Sequence, residues 1–242
     1  MLGATVFASG AALARSHHGV RHSVRHVAPD RRLYPVRGID VSHYQGTIDW
    51  PAVGGDNVSF AYIKATEGLE SRDSHFARNW TGARRAGLRV GAYHYFIFCR
   101  SGRAQAHNFL ATAPRRAGAL PPAVDLEPGN ACHGRLTGAK MRHELDEYLA
   151  VVEARQRERA VLYVTPAFYA AYKDYLPRRQ MWRRSIRAKP AANASWAVWQ
   201  YGSHGRVAGI RTSVDMNVVN LTRRTYVERR RRSLQKVSYR SM

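Results

Sequence analysis

The chain has 242 residues, of which 45% are apolar and 10% are aromatic. This composition can bury a sizeable core, and it excludes collagen-like, repeat-based and wholly disordered proteins. Lys and Arg outnumber Asp and Glu by 39 to 17, which gives a formal net charge of +22. A surface of that sign attracts nucleic acid, anionic lipid or acidic polymers, and charge alone does not choose among them.

The N-terminal segment 1–14 is small and apolar, and Ala12-Leu13-Ala14 has the small-x-small form of a signal-peptidase site. The basic stretch that normally precedes such a run is missing. The segment predicts a signal peptide or a truncated anchor, and therefore export, with a frayed tail as the alternative. Residues 15–35 are rich in His, Arg and Ser without periodicity, which predicts a flexible basic linker.

From Val36 onward, short β-type runs alternate with helical patterns. Eight runs predict strands, at 36–42, 60–66, 88–96, 122–127, 160–165, 181–186, 196–201 and 213–219. Four segments between them predict helices, at 74–87, 102–113, 137–158 and 165–176.

The helix ends carry recognisable start and stop signals. Ser74 is in a capping position for the first helix, and Gly87 closes it. Thr137 opens the third helix, and Pro166 follows Thr165 at the start of the fourth.

Strands that alternate with helices predict a largely parallel sheet, and eight of them favour a β/α barrel. Because the spacers shorten after the fifth strand, we expect loops between the last three. An open doubly wound sheet is the alternative. The predicted domain organisation is a single barrel over 36–222 followed by a basic C-terminal tail over 223–242.

Asp125 and Glu127 stand at the end of the apolar run PPAVDLE. Side chains at i and i+2 of a strand point to the same face, so both carboxylates should face one interior. In a barrel, the C-terminal ends of the strands form the mouth of the active site. A solvated strand end explains Asp125 poorly, because its neighbours Val124 and Leu126 are apolar.

Polar and aromatic residues collect at the ends of most other predicted strands. Two are acids, Asp40 after the first strand and Asp215 in the last. The others are candidate substrate-binding residues: Lys64, Glu67, His94, Tyr95, Tyr163, Trp199, Gln200 and Asn217. His94 could equally be a core histidine, and Lys64 and Glu67 could simply pair with each other.

Clustered carboxylates raise one another's pKa, which keeps one of them protonated as a general acid at neutral pH. Aromatic walls around paired acids suit the flat apolar faces of sugar rings. The residue chemistry therefore favours glycoside hydrolysis. A Mg²⁺ site built from Asp40, Asp125, Glu127 and Asp215 is the alternative.

Nine short motifs follow one another in order: GIDVSHYQGTIDW, FAYIKATEG, HFARNW, GAYHYF, AQAHNFL, PPAVDLE, VLYVTPAFY, WAVWQYGSHGRVAGI and VDMN. In this order they resemble the Chalaropsis-type lysozymes, the family 25 muramidases, from about Val36 to Leu221. The chain departs from that family at Tyr44, where the family often has Trp. It departs again at Arg183 and Arg184, which replace a more apolar strand pattern.

The resemblance implies a modified TIM-like barrel with shortened helices late in the chain, and a reaction without metal or cofactor. It implies cleavage of the β-1,4 bond from N-acetylmuramic acid to N-acetylglucosamine in peptidoglycan. Glu127 would be the general acid. Asp125 would orient the substrate's 2-acetamido group or stabilise a cyclic intermediate, and Asp40 and Asp215 would line the same pocket. Tyr62, Tyr163 and Trp199 would contact sugar.

Further expectations concern cysteines and partners. Cys99 and Cys132 follow two strands that are neighbours in a barrel, so a disulfide is predicted, with two free thiols as the alternative.

We expect a monomer that binds peptidoglycan strands, is attracted to anionic envelope polymers and binds no specific nucleic acid. The rival interpretation is a non-catalytic wall-binding protein on a lysozyme-like scaffold.

Overall fold

The computed structural model describes residues 27–128, 137–191 and 196–220. Its strands are β1 (Arg37–Val41), β2 (Phe60–Glu67), β3 (Ser71–Arg72), β4 (Arg89–Tyr95), β5 (Ala123–Leu126), β6 (Val161–Val164), β7 (Gln180–Arg184), β8 (Trp196–Gly205) and β9 (Val214–Val219). Its α-helices are α1 (Trp50–Gly55), α2 (Phe76–Arg85), α3 (Gly102–Thr112), α4 (Gly138–Gln156) and α5 (Pro166–Tyr172). Single 3₁₀ turns cover His43–Gln45 and Lys173–Tyr175.

Eight of the strands close into a barrel. The strand order is β1-β9-β8-β7-β6-β5-β4-β2, and β1 also pairs with β2, which joins the two ends. Neighbouring strands are parallel except β9, which is antiparallel to both β8 and β1. The short β3 pairs only with β2, outside the ring. The predicted barrel is confirmed, and the open-sheet alternative is wrong.

Residues on the strands alternate between two apolar clusters. Outward-facing side chains such as Ile39, Ile63 and Val124 belong to the larger cluster, which packs between the barrel and its helices. Inward-facing side chains form a smaller cluster that fills the barrel: Phe60, Tyr62, Leu120, Ala123, Val161, Tyr163, Trp182, Val198 and Val219.

Two inward-facing glycines make room for aromatic rings inside the barrel. A Cβ at Gly38 would lie 2.4 Å from the ring of Phe60, and one at Gly91 would lie 2.3 Å from the ring of Tyr62. Both distances are far below a van der Waals contact, so only glycine fits beside these rings.

All eight predicted barrel strands are present, and two elements were missed. One is β3; the other is α1, which Asp49 caps by accepting a hydrogen bond from Ala52 N at 3.3 Å, with Pro51 in the first turn. Thr137 and Thr165 cap α4 and α5 as predicted. The prediction for Ser74 is wrong, because α2 begins at Phe76 and the Asp73 carboxylate accepts the hydrogen bond from His75 N (2.9 Å).

The barrel wall thins after β6, as predicted. Helix α5 has only seven residues, and no helix among the described residues lies between β7 and β9. Part of that wall is covered by the predicted linker, because Tyr34 packs between Trp196 and Trp199 with ring centroids 5.9 and 6.0 Å apart. This end of the predicted linker therefore packs against the barrel, and the flexibility of the linker stays a prediction.

The expected signal segment 1–14, the rest of the linker to residue 26 and the tail 223–242 lie outside the described residues. Within the described ranges, no helix has the length and apolar character needed to cross a membrane. Cys99 lies between β4 and α3, while Cys132 falls in a range that is not described, so the disulfide stays a prediction.

Candidate active site

Asp125 reaches the barrel interior because β5 alternates strictly. Its neighbours Val124 and Leu126 are completely buried in the outer core, so Asp125 must face inward, and Glu127 follows on the same side. Both carboxylates line a cavity of about 110 Å³ at the C-terminal end of the parallel strands. The residues around this cavity are Asp40, Tyr93, Asp125, Glu127, Tyr163, Trp182, Gln200 and Asp215.

Asp40 and Asp215 come to this mouth from opposite directions. They are Cα partners in the antiparallel pair of β1 and β9. Asp40 lies near the end of β1, whereas Asp215 is the second residue of β9. The reversed last strand therefore adds a carboxylate from its N-terminal end to a set that otherwise comes from C-terminal ends.

A hydrogen-bond network holds Asp40. Its Oδ2 accepts from Asn217 Nδ2 at 2.7 Å and from Gln200 Nε2 at 3.0 Å. Gln200 Oε1 accepts from the Tyr163 hydroxyl at 3.0 Å, and Asn217 Oδ1 accepts from Trp182 Nε1 at 2.8 Å. These buried bonds fix both amides, so each presents its N–H group to Asp40.

All four carboxyl groups hold their protons more tightly than usual, and burial is the main cause for each. Burial and the charge of Asp215 raise the pKa of Asp40, against the two amide hydrogen bonds. Burial and the charges of Glu127 and Asp40 raise the pKa of Asp125. Burial raises the pKa of Glu127 and brings that of Asp215 to about 6.

Asp125 differs from Asp40 in its hydrogen bonding. Its Oδ1 is buried and has no partner among the described residues. A buried polar oxygen without a partner is costly, and a bound ligand that supplies an N–H or O–H group would remove the cost. The cavity thus holds a carboxyl oxygen that can accept a hydrogen bond from a bound molecule.

Two cations stand at the rim of the cavity. Lys64 Nζ binds Glu67 at 2.6 Å and lies 5.1 Å from the ring centre of Tyr95. Arg184 faces inward at the end of β7, two residues after Trp182, and its charge lowers the pKa of Asp215 and of Glu127 against the effect of burial. Arg184 forms no ion pair within 4 Å among the described residues.

Comparison with known proteins decides the class of this site. The model for glycosyl hydrolases family 25 matches residues 39–210, most of the chain. The chain belongs to glycosyl hydrolase family 25. It is a glycoside hydrolase, as the resemblance of the sequence motifs predicted.

Relatives agree in sequence and in structure. Lysozyme M1 of Streptomyces globisporus is 36% identical over 200 residues, which cover 76% of this chain and 68% of the relative. YegX, an uncharacterized protein of Escherichia coli, is 36% identical over 197 residues, 78% of this chain and 71% of the relative. The structure of a family 25 glycosyl hydrolase from Bacillus anthracis superposes with a TM-score of 0.75 at 35% identity, covering 83% of this chain and 94% of the other.

Most of the predicted site residues of this family 25 enzyme do meet. Asp40, Asp125, Glu127, Asp215, Tyr163 and Gln200 line the cavity. Asn217 lies behind Asp40, while Lys64, Glu67 and Tyr95 lie at the rim. Tyr62 lies deeper, with its ring packed at a tilt against Trp182 (4.7 Å between centroids) and its hydroxyl donating to Pro121 O, so it supports the cavity from below.

Two predicted substrate contacts lie on the wrong side of the barrel wall. Trp199 is buried outside the barrel, where its Nε1 donates to Ser185 O at 2.7 Å. His94 is completely buried between the sheet and the helices, stacked on Tyr148 and bonded to Thr66 and Gln105. Burial lowers the pKa of His94 to about 3, so it is a neutral core histidine. Both predictions of sugar contact are corrected accordingly.

Sequence reasoning missed Tyr93 and Trp182 as cavity residues. Tyr93 lies two residues before Tyr95 on β4, and Trp182 lies two residues before Arg184 on β7. The period-two rule applied backwards from a strand end would have found both.

The geometry also bears on the magnesium alternative. Asp40 Oδ2 already accepts two hydrogen bonds, and within the described ranges no group of three or more His, Cys, Asp or Glu side chains is arranged to hold a metal ion. The chemistry that this site does offer is proton transfer between carboxyl groups and a bound molecule.

Proposed function

We propose that this enzyme hydrolyses peptidoglycan by cleaving the β-1,4 bond between N-acetylmuramic acid and N-acetylglucosamine, with Glu127 as the general acid. The observation that carries the proposal is the pair formed by Asp125 on the inward face of β5 and Glu127 directly after that strand, both with raised pKa, in a cavity at the barrel mouth. The name of Lysozyme M1, a relative at 36% identity, supports the choice of substrate.

The proposed reaction begins with the proton of Glu127. Burial keeps that proton on the carboxyl group at higher pH than usual, although a hydrogen bond with Tyr163 and the charge of Arg184 oppose this. Glu127 donates the proton to the glycosidic oxygen as the bond to C1 of N-acetylmuramic acid breaks. N-acetylglucosamine leaves as the alcohol, water finally supplies the hydroxyl group at C1, and the second proton of that water returns to Glu127.

Asp125 assists through its unpartnered oxygen. The 2-acetamido group of N-acetylmuramic acid carries an N–H donor close to C1, and Asp125 Oδ1 is a buried acceptor without a partner in the described structure. This contact would hold the acetamido group beside the reacting carbon. Asp40 and Asp215 complete the acidic lining, and the rings of Tyr93, Tyr163 and Trp182 form the cavity wall.

We further propose that the enzyme works outside the cytoplasm. Its substrate lies in the cell envelope, and the small apolar segment 1–14 has the form of an export signal.

The test is release of soluble muropeptides from purified peptidoglycan. The wild-type enzyme should release fragments whose reducing ends are muramic acid, which borohydride converts to muramitol. Glu127→Gln should lower the rate by roughly 10²–10⁴-fold, the usual contribution of a general acid. The same assay in EDTA should give an unchanged rate.

Two controls make the result specific. Glu144→Gln removes a carboxylate on α4 that accepts from Gly102 N, away from the cavity, and should keep activity. Binding of Glu127→Gln to the same peptidoglycan should persist. A wild-type enzyme that binds but releases nothing would replace the proposal with a wall-binding protein on a lysozyme-like scaffold.

A further inference from the structure

A second concave surface lies on the outside of the barrel, over the thin wall at β7. It is a groove of about 760 Å³ between α5, the segments that lead into β6 and β7, and the outward side of β7. Its lining residues are Pro121, Glu158, Arg159, Ala160, Tyr169, Lys173, Leu176, Pro177, Arg178, Arg179, Gln180, Met181 and Arg183. We call it the basic groove.

The basic groove carries five cationic side chains, and Glu158 is the single carboxylate among its described lining residues. Two of the cations have partners, since Lys173 binds Asp174 at 2.8 Å and Arg179 forms a bidentate pair with Glu153. The other three, Arg159, Arg178 and Arg183, form no ion pair within the described ranges.

The three arginines without ion pairs line the same groove. Arg159 Nη2 donates to the carbonyl of Arg178 at 2.8 Å, which joins the start of β6 to the segment before β7. The guanidinium carbon of Arg183 lies 3.5 Å from the centre of the Tyr169 ring, a cation–π contact. Arginine forks in this arrangement suit phosphate oxygens.

The basic groove and the catalytic cavity lie on opposite sides of the barrel wall. Arg183 of the groove faces outward over Tyr169, whereas its neighbour Arg184 faces the cavity. A ligand in the groove therefore leaves the cavity open for a glycan strand.

We propose that the basic groove binds the phosphodiester backbone of an anionic polymer attached to the cell wall, a polyol phosphate, and so holds the enzyme on its substrate. The charge complementarity of three unpaired arginines with repeated phosphates carries the assignment. This proposal rests on the proposed function, because such a polymer and the glycan to be cleaved occur together in the cell wall. Nucleic acid and anionic lipid share the phosphate chemistry, and the experiment separates them.

The experiment uses the full chain carrying Glu127→Gln, so that binding is measured without hydrolysis. Walls that retain their glycerol-phosphate polymer are compared with walls stripped of it by mild acid, by co-sedimentation at low and at physiological salt. Adding Arg159→Gln and Arg178→Gln should weaken binding to polymer-bearing walls roughly tenfold at low salt, since two phosphate contacts are lost. Binding to stripped walls should not change.

The matched control is Arg84→Gln with Arg85→Gln, two exposed arginines at the end of α2 that are also without ion pairs in the described structure. It removes the same charge and should change binding by less than about twofold. Equal losses in the two double variants, or no loss in the groove variant, would overturn the proposal in favour of diffuse attraction.

A competition experiment identifies the ligand of the basic groove. Free glycerol-phosphate polymer should displace the protein from walls more effectively, per phosphate, than duplex DNA or vesicles of anionic lipid. Stronger displacement by DNA or vesicles would overturn the assignment. Muropeptide release from stripped walls by the groove variant with Glu127 restored is scored separately, so failure of hydrolysis and failure of anchoring give different results.

Discussion

The lower and upper halves of the barrel interior differ in the polarity of their inward-facing side chains. On β5 the inward residue changes from Ala123 to Asp125, and on β9 it changes from Val219 to Asn217 and Asp215. The lower half, the floor, is a packed apolar cluster that stabilises the fold. The upper half, the mouth, gathers four carboxyl groups whose raised pKa values show that burial disfavours their charges.

The contrast indicates that the floor contributes most to the stability of the fold, whereas the mouth carries the groups that take part in the proposed reaction. Two residues along a strand, about 6.6 Å, separate the packed apolar floor from the mouth lined by carboxyl groups. Substitutions in the two halves should therefore change stability in opposite directions.

The largest effect is expected in the floor, from Phe60→Ala. Phe60 is almost completely buried, and its ring fills the space beside Gly38. Loss of the ring should reduce the free energy of unfolding by about 3–5 kcal/mol. The thermal midpoint should fall by roughly 6–20 °C in calorimetry.

A double-mutant cycle with Gly38→Ala measures the energetic coupling between Gly38 and the Phe60 ring. Alone, Gly38→Ala should destabilise the enzyme by about 1–3 kcal/mol, because its Cβ overlaps the Phe60 ring. In the Phe60→Ala background the same change should cost much less. Additive losses would show that the ring and the glycine are not coupled.

The mouth should respond in the opposite direction, as Asp215→Asn tests. Burial raises the pKa of Asp215 from 3.8 to about 6, so ionisation weakens the folded state as pH rises through that interval. At pH 7 the amide should increase the free energy of unfolding by about 1–3 kcal/mol. The gain should disappear as pH falls below 3.8.

Asp174→Asn is the control for Asp215→Asn, since that carboxylate is exposed and, in the described part of the chain, forms an ion pair only with Lys173. Its effect should stay within about 0.5 kcal/mol at every pH. A destabilised Asp215→Asn enzyme at pH 7 would show that the mouth contributes to stability, and the contrast with the floor would fail.

A smaller effect is expected at the rim, from Arg184→Gln. Arg184 faces Asp215 on β9, Glu127 after β5 and Tyr163 on β6, and its charge lowers the pKa of all three. Without it, both carboxyl pKa values should rise, and the pH profile of kcat/KM should move upward by about half a unit to one unit.

The adjacent Arg183→Gln is the matched control, because Arg183 faces outward over Tyr169. It should leave the pH profile in place. A shift of equal size in both variants would mean that Arg184 acts only through the net charge of the protein.

The fold and the acidic pair could be predicted from the sequence because both are local signals. Apolar runs, helix caps and the spacing of Asp125 and Glu127 are contained in a few neighbouring residues. The helix α1 was also accessible, since Asp49 and Pro51 form a standard start signal that the sequence analysis overlooked.

It was harder to predict which strand residues face into the barrel and which face outward. Trp199 and Gln200 are consecutive, so only one of them can face inward, and the same holds for His94 and Tyr95. On β8 the alternation is broken, because Trp196 pairs with Met181 but Val198 pairs with Trp182, which leaves an extra residue in the strand. The parity of β8 therefore cannot be counted from its first tryptophan.

Closure of the barrel has a consequence for how the enzyme is made. Asp40 on the first strand receives its two amide donors from residues 160 and 177 positions further along the chain. A nascent polypeptide that has not yet emerged as far as β9 lacks Asp215 and Asn217, and of the two sheet neighbours of β1 it has only β2. The acidic mouth of the barrel is therefore complete only after the final strand is inserted.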